Sequence, residues 1–159
     1  FDFAVHWFDI ASCMMTGRNP EKIYASEVRH SGQVYKPPAL ASAVIDYPDA
    51  QVRMSFNAHC KLGEEDVTTV VGTKGTLRSR GPGLNDQPMM EVHLVEGSVE
   101  VPLEGSWFES GFQGTMGELL CAIEDEREPS NSARENLRSL ELCFAALKSA
   151  DSGQPVNFQ

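Results

Sequence analysis

The spacing of apolar residues changes twice along this 159-residue chain, and the order of those changes constrains its fold more than any other feature. Residues 2–16 are apolar nearly all round at helical spacing, which suits a helix sandwiched between layers. Thr16-Gly17-Arg18-Asn19-Pro20 ends it, with Gly17 suited to a left-handed cap and Pro20 barring continuation. From Lys22 the period drops to two. Segments 22–29, 41–47, 50–60, 66–71, 76–80, 90–95 and 98–103 read as short strands, several of them divided by turn residues such as Pro48-Asp49 and Glu96-Gly97. After Gly105 the helical period returns over 108–126 and 132–149, separated by Pro129-Ser130-Asn131-Ser132, which supplies N-cap chemistry.

A run of strands followed by a run of helices predicts an α+β domain. The expected form is an open, mostly antiparallel sheet of about six or seven strands in a single domain over 1–159. Helices cover one sheet face and leave the other free for water or an oligomeric partner. The chain holds no GxGxxG and no strand–glycine turn–helix unit, so it does not itself form a dinucleotide fold.

The first helix carries a polar stripe, Asp2, His6 and Asp9, whose offsets of four and three place all three on one face. Two readings follow from the residues. Asp2 serves as the helix N-cap and His6 as a buried imidazole satisfied by a carboxylate, or the two form an acid–base pair. The stripe lies at the very start of a chain that begins at Phe1, which suggests the back part of a longer protein.

Composition narrows the classes. A formal net charge of −10 opposes binding to a phosphate backbone or to anionic lipid, so no nucleic-acid or membrane partner is expected. No apolar stretch reaches membrane-spanning length, and no basic segment followed by an apolar one marks a leader. Cys13, Cys60, Cys121 and Cys143 form no CxxC pair, which points to a reducing, cytoplasmic setting. His6, His30, His59 and His93 lack zinc-ligand spacing, and no metal site is expected.

Taken in order, these pieces resemble a family. Asp2-xxx-His6-xx-Asp9, then Gly17-xx-Pro20 leading into Ile23-Tyr24-Ala25, is similar to the start of the C-terminal domain in the glucose–fructose oxidoreductase / inositol dehydrogenase / MocA family. Val71-Gly72-Thr73-Lys74-Gly75-Thr76-Leu77 resembles that family's Gly-xx-Gly strand turn. Phe112, Ile123, Pro129, Ala145-Ala146, Ser149-Ala150 and Gly153-Gln154-Pro155-Val156 resemble its closing helices. One departure is Ala4, where the family usually has Gly.

The resemblance implies an NAD- or NADP-dependent oxidoreductase acting on a sugar, polyol or related hydroxyl or carbonyl compound. Its nucleotide would be held by an N-terminal Rossmann domain that lies outside this chain, so none is expected bound here and the chain alone is expected inactive. His6 and Asp2 take the positions of substrate-binding and proton-transfer residues, working with a lysine from that other domain. Asp9 supports them, and the open sheet face forms a homo-oligomer. The alternative is a non-catalytic dimerisation or ligand-sensing module of the same fold. Tyr24, Arg53, Asn57 and His59 are secondary candidates on the sheet, and Trp7 reads as core.

Overall fold

Alternating apolar residues in the middle of the chain and 3.6-period residues at its ends become, among the described residues, eight strands and three helices. The computed structural model describes residues 4–83 and 86–158. In chain order the elements are α1 (Ala4–Met14), β1 (Lys22–Val28), β2 (Leu40–Tyr47), β3 (Ala50–Asn57), β4 (Asp66–Val71), β5 (Gly75–Gly81), β6 (Met89–Leu94), β7 (Gly97–Pro102), α2 (Glu109–Glu124), α3 (Ala133–Ser152) and β8 (Val156–Asn157). They belong to two compact units, one of Phe1–His59 with Ser130–Gln159, the other of Cys60–Pro129.

In the first unit four antiparallel strands lie in the order β3-β2-β1-β8. The register sets Ile23 opposite Ile45 and Ala25 opposite Ala43, while Val52 and Met54 continue the same rows on β3. Because side chains alternate across a strand, these residues share one face. Helix α3 packs on β1, and α1 packs on α3. Their contact surfaces, Phe8, Leu142, Cys143, Ala145 and Ala146, close the core over Ile23 and Ile45, which are fully buried.

Helix α3 has defined ends. Ser132 is its N-cap and accepts a hydrogen bond from the Glu135 amide, and Gly153 closes it in the left-handed conformation at φ 65°. The seam with the sheet runs through Ser149, which is fully buried. Strand β8 pairs with β1 only at Lys22 and Ile23. Beyond that point the Ala25 amide donates to Ser149 Oγ at 2.9 Å, and Ser149 donates onward to the Gln154 carbonyl at 2.7 Å.

The second unit contains a meander of order β4-β5-β6-β7. Its register separates one apolar row from a cluster of charged and polar side chains. Val70, Leu77, Val92 and Val99 share one face, while Arg78, Arg80, Glu91, His93, Ser98 and Glu100 share the other. Glycine is required at Gly75, where a Cβ would run into the His93 carbonyl of the neighbouring strand. Helix α2 follows, with its expected apolar residues largely exposed: Phe112 at 67%, Met116 at 56% and Ile123 at 65%.

The α+β class and the antiparallel pairing agree with the sequence reading. The strand count does not, because the described residues form eight strands in two sheets of four rather than six or seven in one. The additional strand, β8, is two residues long, too short to show a period. The division into two sheets reflects strand partners, which alternation along a single strand does not specify.

Candidate functional site

His6 and Asp9 both lie on α1, three residues and about 4.5 Å of helix rise apart, on one face. Asp2, the third member of the stripe, lies outside the described residues. The His6 side chain is exposed on the helix. Its ring stands 6.4 Å from that of Trp7 in an edge-to-face arrangement, and Trp7 in turn meets Phe56 at 5.8 Å with ring planes 81° apart. That contact holds the His6-bearing half of α1 against the end of β3. Trp7 is therefore a half-buried clamp rather than a fully enclosed core residue.

Asp9 has a specific partner that sequence reasoning missed. Ser139, fully buried on α3, donates its hydroxyl to the Asp9 carboxylate at 2.7 Å. The bond ties α1 to α3 one turn below His6 and places a negative charge at the helix seam. Cys13 is exposed, but partial desolvation, reinforced by the Asp9 and Glu135 charges, pushes its thiol up from the ordinary range. Cys143 is raised to about 11, chiefly by burial. Both thiols stay protonated at neutral pH and are poor nucleophiles. The available signal for Ser139 was its place on the buried stripe of α3 with Leu142 and Ala146, where a small polar residue calls for a partner.

The secondary candidates fall elsewhere. Tyr24, Arg53 and Asn57 occupy matched rows of β1, β2 and β3 on the face opposite Phe56. The sheet thus separates their side chains from the one to which Trp7 fixes α1. Arg53 donates to Gln51, and Asn57 Oδ1 accepts from the His59 amide at 3.1 Å. His59 stacks on His30 with ring centroids 4.4 Å apart. The loop that carries His30 is organised by buried Gln33, which accepts from the His30 and Ala39 amides and donates to the Tyr35 and Pro37 carbonyls. All four hydrogen-bonding directions of its amide, two lone pairs and two N–H bonds, are engaged, which fixes the loop without a regular ladder.

At the other end of α1 a cleft of about 80 Å³ is bounded by Ser12, Met15, Arg18, Tyr47, Arg138 and Leu142. That is well under the roughly 300 Å³ at which small-molecule sites begin. Among the described residues no group of three or more His, Cys, Asp and Glu side chains is placed to hold a metal ion. Both sheets are wholly antiparallel, so the described residues contain no parallel strand–turn–helix cradle for a dinucleotide. Nor is any described helix long and apolar enough to cross a membrane. What α1 offers chemically is an exposed imidazole, a side chain of the type used for general acid–base work, on a helix held from two sides.

Solved structures share this architecture. An oxidoreductase from Agrobacterium radiobacter, determined in complex with NAD+, L-tartaric acid and magnesium, matches with a TM-score of 0.78 and 23% identity over 98% of this chain and 48% of its own. The aldose-aldose oxidoreductase from Caulobacter crescentus, complexed with glycerol, gives a TM-score of 0.78 at 17% identity over 98% and 46%. The WlbA dehydrogenase from Bordetella pertussis, in complex with NADH and UDP-GlcNAcA, gives 0.71 at 20% over 98% and 43%. The chain spans about half the length of the solved structures it matches. No curated protein matches it. The family model described as the GFO/IDH/MocA C-terminal domain matches residues 1–78, which include α1 and strands β1 to β4. Over residues 1–78 the chain matches the GFO/IDH/MocA C-terminal domain family, and over 98% of its length it shares the fold of about half of each of these oxidoreductases.

Proposed function

We propose that this chain is the substrate-side domain of an NAD(P)-dependent oxidoreductase acting on a sugar, a polyol or a related hydroxyl or carbonyl compound. The observation that carries the reading is the family match over residues 1–78, with the exposed His6 imidazole on the helix at its head. His6 moves the hydroxyl proton that must leave, or return, when the carbinol carbon gives up or takes a hydride. Asp2, one turn away in sequence, orients and charges that imidazole. Asp9 acts at a distance, holding α1 on α3 through Ser139. The nicotinamide supplies the hydride chemistry, and by analogy with the family a Rossmann domain elsewhere in the parent protein binds it, the described residues here holding no dinucleotide cradle. The sheet face carrying Tyr24, Arg53 and Asn57 is the surface for a homo-oligomer, and the setting is cytoplasmic.

The test uses the intact parent protein with a panel of sugars and polyols and with both nicotinamide cofactors. Replacing His6 by Gln is expected to lower kcat by about 100-fold or more, with the pH dependence of the imidazole lost. Unchanged turnover and an unchanged pH profile refute the assignment. Calorimetry of these 159 residues alone with NADH is expected to show no binding, and tight binding refutes the division of labour.

A further inference from the structure

The polar face of the second sheet holds an arrangement that the proposed oxidoreductase chemistry does not use. Antiparallel register sets His93 on β6 directly opposite Ser98 on β7, with Thr76 of β5 on its other side. Two residues back on the same face lies Glu91, flanked in its row by Arg78 and Glu100. The side chains connect: His93 Nδ1 is 2.7 Å from Ser98 Oγ, and His93 Nε2 is 3.3 Å from Glu91 Oε2. Glu91 is held in turn by Arg80 at 3.0 Å and Arg78 at 3.7 Å. The His93 hydrogen bond, with the two arginines, keeps its carboxyl below the usual range and therefore ionised.

An ionised Glu91 fixes the polarity of the chain. It accepts the Nε2 proton, which leaves the lone pair on Nδ1, and Nδ1 accepts from the Ser98 hydroxyl. A hydroxyl bonded to an imidazole that a carboxylate orients is the arrangement by which serine is made nucleophilic. Ser98 is exposed, and the His93 side chain is 42% exposed, so a reagent reaches the oxygen directly. We propose that Ser98 is an acyl-acceptor site that takes an acyl group from an activated ester or thioester, with His93 as its general base and Glu91 as a positioning residue.

In the step, Ser98 Oγ bonds to the acyl carbon as its O–H bond breaks and His93 Nδ1 takes the proton. The bond from the acyl carbon to the leaving oxygen or sulfur then breaks, and its electron pair departs with that atom. The leaving group goes as the oxide or thiolate, and His93 returns its proton to solvent. No oxidant, reductant or metal enters the balance.

p-Nitrophenyl acetate is the probe, with peptide mass mapping to locate the acetyl group and separate it from lysine products. The expected result is acetylation of Ser98, slowed by about 100-fold in His93→Gln and falling as pH drops through the imidazole range. Glutamine can keep a hydrogen bond to Ser98 while lacking the base, and circular dichroism checks that the sheet persists. A smaller reduction in Glu91→Gln, with the pH midpoint moved downward, supports the positioning role. Acetyl found only on lysines or the terminal amine overturns the proposal, as does equal Ser98 labelling in His93→Gln.

Discussion

Replacing Ser149 by Ala tests whether the seam between α3 and the sheet rests on one hydroxyl. Ser149 Oγ accepts the Ala25 amide at 2.9 Å and donates to the Gln154 carbonyl at 2.7 Å, and the residue is fully buried. Alanine keeps the helix and nearly the volume, so the change is almost purely one of hydrogen bonding. The Ala25 amide sits past the end of β8, in the core layer, and loses its partner; stranding a buried backbone donor costs about 1–3 kcal/mol. Gln154 is exposed, and water replaces the bond to its carbonyl at small cost. The expected loss is therefore about 2 kcal/mol, or a fall in Tm of roughly 4–8 °C for a chain of this size. Urea unfolding followed by circular dichroism measures it, with an unchanged m-value showing that stability alone has moved. Ser12→Ala is the internal control, since the Ser12 hydroxyl is buried with no hydrogen-bond partner; the same substitution there is expected to be neutral or stabilising. A loss below about 0.5 kcal/mol at Ser149, or equal losses at both sites, refutes the reasoning.

Other predictions follow from the same geometry. Ser139→Ala removes the donor to the Asp9 carboxylate and is expected to cost about 1.5–3 kcal/mol in urea unfolding, as for a bond to a charged group, and Asp9→Asn combined with it should add little further. Cys143, buried and raised to about 11, is expected to resist iodoacetamide in the native state at pH 8 while exposed Cys121 reacts, with mass spectrometry reading the sites. Glu91 has its folded pKa below its unfolded value, so its contribution to stability is present above the unfolded carboxylate pKa of about 4.3 and is lost as pH falls through the lower, folded value. The Tm advantage of the unaltered chain over Glu91→Gln should accordingly be present at pH 6 and shrink as pH falls below about 4.3, and a difference independent of pH contradicts this.

Much of the architecture was legible in the order of residues. Period-two spacing in Ile23, Ala25, Ala43 and Ile45 marks one covered sheet face, because a strand turns successive side chains to opposite sides. Ser132 ahead of Glu135, and Gly153 after the last apolar turn, mark the ends of α3 through the unpaired groups every helix leaves. The Asp2/His6/Asp9 spacing marked the first helix as the place to look for chemistry. Tertiary structure decided what spacing does not encode, namely which groups distant in sequence meet. Asp9 finds Ser139 from 130 residues away, and the Ala25 amide finds Ser149 from 124. The strands form two sheets of four because pairing is chosen between strands, whereas alternation is a property of each strand alone. Likewise, His93 and Ser98 are five residues apart in sequence until a tight turn at Val95-Glu96 folds one over the other, bringing a base within hydrogen-bond reach of a hydroxyl.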